Sequence, residues 1–243
     1  MRIIEKIIEK SKNNRENGEI SIAFLGDSVT QGCFEIYLKS NGAMETVFAP
    51  EYSYHRYLSK IFAQLYPSVP VTMINAGVSG GNASHGLERL HRDVIRHQPD
   101  LTVVCFGLND ALSGVGEIPK YTAALEKIFE ELQKENIEVI FMTPNMMNTS
   151  VSCHLDKCFT ETAEKTAAVQ NDGILEAYLD AAKELCRTKR IPVCDCYEKW
   201  KTLHRCGVEI NDMLANAINH PSREMNWLFA ISLIETMMKN ETM

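Results

Sequence analysis

A chain of 243 residues, 45 % hydrophobic and 23 % charged, is long enough to bury a substantial core as one α/β domain. A net charge of −7 provides no basic field to draw in nucleic acid, and no stretch of about 18 apolar residues is present to span a membrane. Charges recur through MRIIEKIIEKSKNNRENGE without the apolar centre of a secretory signal, and the eight cysteines lack the rhythm of a disulfide scaffold, so reduced thiols in a cytoplasmic protein are expected.

In chain order, Ile3, Ile4, Ile7 and Ile8 share one face of a short amphipathic helix, residues 2–12, that packs on the domain. ISIAFLG (20–26) follows, a near-continuous apolar run ending in glycine, as a strand covered on both faces should read. Residues 53–65 carry Tyr54, Leu58, Ile61, Phe62 and Leu65 at helical spacing. VTMINAG (71–77) repeats the strand pattern and leads to a helix over 83–97 through Leu87, Leu90, Val94 and Ile95. LTVVCFG (101–107) precedes a helix over 121–135, with Leu125, Ile128, Phe129 and Leu132 on its buried side. IEVIFMT (137–143) and a helix over 174–188 come next, then IPVCD (191–195) and a last helix over 222–238. Strands alternating with helices predict one parallel sheet between helical layers, and no linker, repeat or low-complexity tract divides the single domain, 1–243. Two stretches, 33–52 and 144–170, are too long to be mere connectors. Both leave the carboxyl ends of strands, where parallel sheets bind ligands, so they are expected to shape a pocket.

Four short blocks carry chemistry. Gly26-Asp27-Ser28 ends the first strand, which exposes a serine at the working edge of the sheet; the same residues also suit a turn capped by Asp27 or Ser28. The second strand ends Asn75-Ala76-Gly77-Val78-Ser79-Gly80-Gly81, where glycines let backbone N–H groups approach a ligand or simply make a tight turn. Phe106-Gly107-Leu108-Asn109-Asp110 ends the third, with an amide at Asn109 able to donate to an oxyanion. Asn219-His220-Pro221 precedes the last helix, and the proline holds His220 out of helical geometry.

In series these blocks gather at one sheet edge, and FLGDSVTQG, NAGVSGG, FGLND and the late NHP resemble the four blocks of the SGNH (GDSL-like) hydrolases. The resemblance covers residues 20 to 235. It implies a flavodoxin-like three-layer α/β/α sandwich with a five-stranded parallel sheet, hydrolysis of a small-molecule or carbohydrate ester, and no cofactor or metal. It places the nucleophile at Ser28, the base at His220, and the oxyanion hole at the N–H groups of Ser28 and Gly80 and the side chain of Asn109. One position departs from the family. Where it usually has an acid, three residues before the histidine, this chain has Ala217. Loss of that acid from a serine triad costs about four decades in rate. Asn216, Asn219, a backbone carbonyl or Asp212 are the candidates to orient His220, with a carbonyl-held Ser–His dyad as the working expectation and Asp195 read as structural.

Other readings compete. Gly77-Val78-Ser79-Gly80-Gly81 fits the G-x-S-x-G nucleophile elbow, which would make Ser79 the nucleophile with Asp195 and His220 behind it; only one strand precedes it, too few for that fold. The alanine at 217 favours a non-catalytic ligand-binding domain of the same shape. Cys153-His154, Cys158 and Cys194-x-Cys196 lack the paired spacing of a zinc site. Met146 and Met147 suggest a channel for longer acyl chains, against the small acyl groups that the family's range implies.

Overall fold

The apolar runs do pair as strands in the computed structural model, which describes residues 1–239. In chain order the elements are α1 (Arg2–Lys12), β1 (Ile20–Gly26), α2 (Ser28–Gln31), β2 (Cys33–Leu38), β3 (Met44–Phe48), α3 (Tyr54–Leu65), β4 (Val71–Gly77) and α4 (Ala83–Asp93). They continue with β5 (Leu101–Cys105), α5 (Leu108–Ala111), α6 (Ile118–Lys134), β6 (Glu138–Met142), α7 (Thr160–Asn171), α8 (Ile174–Lys189), β7 (Val193–Cys194), α9 (Cys196–Arg205) and α10 (Asn226–Met238). Five strands form a parallel sheet in the order β4-β1-β5-β6-β7, with β5 at its centre and β1 beside it, paired with β4 in register from Ile20↔Val71 to Gly26↔Gly77.

Alternation along each strand builds two cores, because successive side chains leave opposite faces. Ala23 and Leu25 of β1 join Leu90 of α4, Leu125 and Phe129 of α6, and Leu175 and Leu179 of α8 on one side. Ile22 and Phe24 join Ile3 and Ile7 of α1, Leu58 and Phe62 of α3, and Phe229 and Leu233 of α10 on the other. The result is the expected α/β/α sandwich. Among the described residues, no helix is long and apolar enough to cross a membrane.

The boundaries differ from the pattern in instructive places. The stretch 33–52 is not a plain loop: β2 and β3 pair antiparallel into a hairpin separate from the main sheet. Its buried residues, Cys33 and Phe34, are adjacent, and Tyr37, Leu38, Met44 and Phe48 are exposed, so burial imposes no legible alternation. Within 144–170 lies the start of α7, whose buried positions are Ala163, Thr166, Ala167, Val169 and Gln170, too small and polar to register as an apolar stripe. α9 begins directly after the two-residue edge strand β7, with Asp195 as its cap. The helix expected over 83–97 stops at Asp93 and continues as a 3-10 turn, Ile95–His97.

Candidate active site

Strand β1 delivers its last residue, Gly26, to a tight turn. Asp27 caps α2 by accepting the N–H of Val29 at 3.0 Å, which leaves Ser28 as the first helical residue. A side chain at Gly77, on the neighbouring strand end, would put a Cβ 2.2 Å from the backbone nitrogen of Gln31, so only glycine lets β4 and α2 approach this closely. Arg89 of α4 holds both strand ends: its guanidinium donates to the carbonyl oxygens of Ala76 at 2.6 Å and Gly26 at 2.7 Å. Nothing in the motif pattern points to Arg89.

His220 arrives from the opposite end of the sequence. Its loop is folded around the side-chain oxygen of Asn216, which accepts the N–H groups of Ile218 (3.1 Å), Asn219 (2.9 Å) and His220 (2.9 Å). Asn145 donates to the carbonyl of Asn219 at 2.8 Å, and the N–H of Ala215 to that of His220 at 2.8 Å. Ala217 occupies the left-handed region at φ 53°, within the turn. These bonds leave the ring 6 % exposed and Ser28 5 % exposed.

The two side chains meet. His220 Nε2 lies 2.9 Å from Ser28 Oγ, and Nδ1 lies 2.8 Å from the backbone carbonyl oxygen of Phe34. A carbonyl oxygen only accepts, so Nδ1 carries the proton and Nε2 presents its lone pair to the serine hydroxyl. Burial holds the imidazole below its ordinary pKa, opposed by the Phe34 carbonyl and the nearby charge of Glu35. Of the groups considered to orient His220, the carbonyl stands against the ring. Asn216 and Asn219 are bonded to each other at 3.0 Å and shape the loop, and Asp212 lies in the 3-10 turn Ile210–Met213.

The three expected oxyanion donors come from the ends of three strands. Gly80 adopts φ 73°, and Gly81 closes its turn by donating to Val78 at 3.0 Å. Asn109 donates to the carbonyl of Gly81 at 2.8 Å and lies 3.5 Å from Asp27, so its amide bridges the neighbours of Gly80 and Ser28. Beneath them the Asp27 carboxyl is pushed up to about 7, chiefly by burial and further by the charge of Asp110. Asp110 is itself raised to about 6 by burial.

The other nominated groups lie elsewhere in the network. Ser79 is exposed and its N–H donates to Gln31 Oε1 at 2.7 Å, while the imidazole is engaged by Ser28. Asp195 accepts from Thr143 at 2.9 Å and pairs with Lys183 at 3.4 Å, a structural anchor for α9. Met146 and Met147 are buried in the main core rather than lining a channel. The Phe34 carbonyl is the element that motif reading left anonymous, because a backbone acceptor has no residue-type signature.

The family described as GDSL-like Lipase/Acylhydrolase matches residues 24–228. An acetylxylan esterase from Geobacillus stearothermophilus is 26% identical over 132 residues, 51% of this chain and 58% of that protein. An arylesterase from Vibrio mimicus is 36% identical over 73 residues, 30% of this chain and 36% of that protein. The matched segments thus cover less than two thirds of either curated relative. Among solved structures, a catalytic mutant of an acetylxylan esterase from Geobacillus stearothermophilus aligns with TM-score 0.68 at 20% identity, covering 92% of this chain and 96% of that one. A lipase/acylhydrolase from Enterococcus faecalis aligns with TM-score 0.63 at 22% identity, covering 89% and 94%. The likeness to these structures is one of fold.

Proposed function

The chain belongs to the GDSL-like Lipase/Acylhydrolase family, and from that premise we propose that it hydrolyses carboxylic esters through an acyl-enzyme on Ser28. The observation that carries this reading is the 2.9 Å contact between Ser28 Oγ and a His220 Nε2 left unprotonated by its partner on the far side of the ring. His220 takes the hydroxyl proton as Oγ attacks the ester carbon. The carbonyl π-bond opens to an oxyanion, which the N–H groups of Ser28 and Gly80 and the amide of Asn109 receive. Each such donor contributes about 3 kcal/mol in related acyl transfers. The imidazolium then gives its proton to the departing alcohol. Water, deprotonated by the same ring, attacks the acyl-serine and releases the acid.

The Asn109 amide nitrogen carries two N–H groups: one donates to Gly81 at 2.8 Å, and the other, 3.5 Å from Asp27, is the one that turns to the substrate oxygen. Ground-state hydrogen bonds that re-form around the transition state are compatible with catalysis, since catalytic contacts often tighten only in the complex. For the substrate, we infer a small acyl group, acetyl first, on a carbohydrate hydroxyl. Support comes from the acetylxylan esterases among the relatives and from the burial of Met146 and Met147 in the core.

A second reading, a ligand-binding domain without turnover, is favoured by Ala217. One experiment separates the two. A fluorophosphonate probe followed by peptide mass spectrometry should label Ser28 and lose the label in Ser28→Ala and His220→Ala. Hydrolysis of p-nitrophenyl acetate should fall in parallel. Labelling at Ser79, or a folded wild-type protein that neither labels nor hydrolyses, would overturn the proposal. A panel of esters of rising acyl length beside acetylated sugars then tests the substrate class.

A further inference from the structure

Where the hairpin touches the C-terminal loop, two residues outside the dyad meet. Glu35 follows Phe34 on β2, and Arg223 follows His220 by three positions. The Arg223 guanidinium takes both carboxylate oxygens of Glu35, Nη2 to Oε2 at 3.0 Å and Nη1 to Oε1. Its plane also covers the Phe34 ring, 4.5 Å from the centroid, with the Tyr52 ring at 5.7 Å. The same two segments are therefore joined twice, once through the ring of His220 and once through this pair.

The carbonyl that receives His220 Nδ1 belongs to the peptide unit linking Phe34 to Glu35. That unit is planar and rigid, so fixing Glu35 on one side and the Phe34 ring on the other fixes the direction of the C=O. A lone hydrogen bond to a neutral carbonyl contributes about 1 kcal/mol net, little to hold an imidazole on a two-stranded hairpin that packs on no sheet of its own. A bidentate guanidinium–carboxylate pair is stronger and geometrically selective. We propose that Glu35 and Arg223 are positioning residues, clamping the Phe34–Glu35 peptide against His220 and so holding the imidazole in its base-competent tautomer where Ala217 leaves no acid to do so.

This inference rests on His220 being the base. One charged group acts on the ring, and two more titratable or charged side chains lie beyond it. Glu35 faces it from β2 and favours its protonated form; Arg223, on the ring's own loop, neutralises the far side of Glu35. Asp27, ahead of α2, is turned to the N–H of Val29 and toward Asn109. Breaking the clamp therefore removes both the carbonyl and the ordered position of Glu35 from the ring.

The test uses the whole chain as Arg223→Ala, Arg223→Lys and Glu35→Gln, with nitrogen-15 NMR of the histidine side chains, pH–rate profiles on p-nitrophenyl acetate, and thermal melting. In folded Arg223→Ala, kcat should fall by about tenfold or more with KM little changed, as expected when a reacting group loses its alignment. The His220 signals should change from the single Nδ1–H tautomer to a mixture, and the acid limb of kcat/KM should move to lower pH. Arg223→Lys should recover part of kcat. Wild-type tautomer and an unmoved acid limb in folded Arg223→Ala would overturn the clamp. Should Arg223→Ala fail to fold, Glu35→Gln decides on the tautomer spectra, since loss of the carboxylate charge moves the acid limb by itself: a single Nδ1–H tautomer in folded Glu35→Gln would overturn the clamp. If the wild-type protein hydrolyses nothing, the esterase reading falls while the tautomer spectra still judge the clamp.

Discussion

The serine and the histidine of this site stand on supports of opposite character. Ser28 sits at the end of the interior strand β1, paired on both sides and flanked by glycines packed against backbone. His220 rests on a loop and on the two-stranded hairpin β2–β3, tied by side chains: Asn216 around the loop, Arg223 to Glu35 across the gap. Strand pairing is a property of many residues, and removing one hydrogen bond from it leaves the rest. A loop organised around Asn216 and secured by Asn145 depends on those few side chains. The nucleophile's side should thus be sensitive to added volume, and the base's side to lost polar contacts.

The largest effect should come from overfilling the first support. Gly77→Ala sets a Cβ against the Gln31 backbone, which cannot rotate away, and should cost about 3 kcal/mol, the upper end for an overpacked interior. Urea denaturation measures it; an unchanged midpoint would mean that α2 is not seated as rigidly as β4 requires. On the second support, Asn216→Ala strands three backbone N–H groups in a buried turn. A loss of about 1–3 kcal/mol is expected from unsatisfied donors. Here kcat should drop more than stability, because the loop carries His220. Equal losses in both would erase the distinction between the two supports.

Titration sharpens the same contrast. A carboxyl raised in the folded state binds its proton more tightly there than when unfolded, so its contribution is present at low pH and is lost as pH rises through the folded value. For Asp27 that window runs from the ordinary aspartate value of 3.8 to about 7. Asp27→Asn keeps an acceptor for Val29 without the charge, and should raise the melting temperature relative to wild type near pH 8 while matching it near pH 4. A wild-type melting temperature that climbs across this window at least as much as the variant's would contradict a buried Asp27. On the base's side, burial lowers His220, so the acid limb of kcat/KM should lie below the ordinary histidine value of 6.5. Smallest of all is the hairpin tip. Lys39 pairs with Glu45 in full solvent, and Lys39→Ala should leave the melting midpoint unchanged.

The same division marks what could be read from residues. The middle of the main sheet was legible because β1, β5 and β6 are buried on both faces, and such runs stay apolar whatever surrounds them. Ser28, Gly80, Asn109 and His220 stood out through strand-end motifs whose order places them on one edge, and the structure gathers Ser28 with His220 directly and Asn109 with the glycine turn. α7 and the hairpin escaped notice because small or polar buried positions, and exposed apolar ones, break the periodicities on which such reading depends.

Residue identities alone set the layers of the fold and the serine at a strand end, since each follows from local pattern, and the family resemblance marked Ala217 as the place where it implies an acid. Which group faces the far nitrogen of His220 was another matter. That partner is a peptide oxygen 186 residues away in the chain. Every residue owns the same oxygen, and only packing the hairpin against the C-terminal loop selects the one that counts.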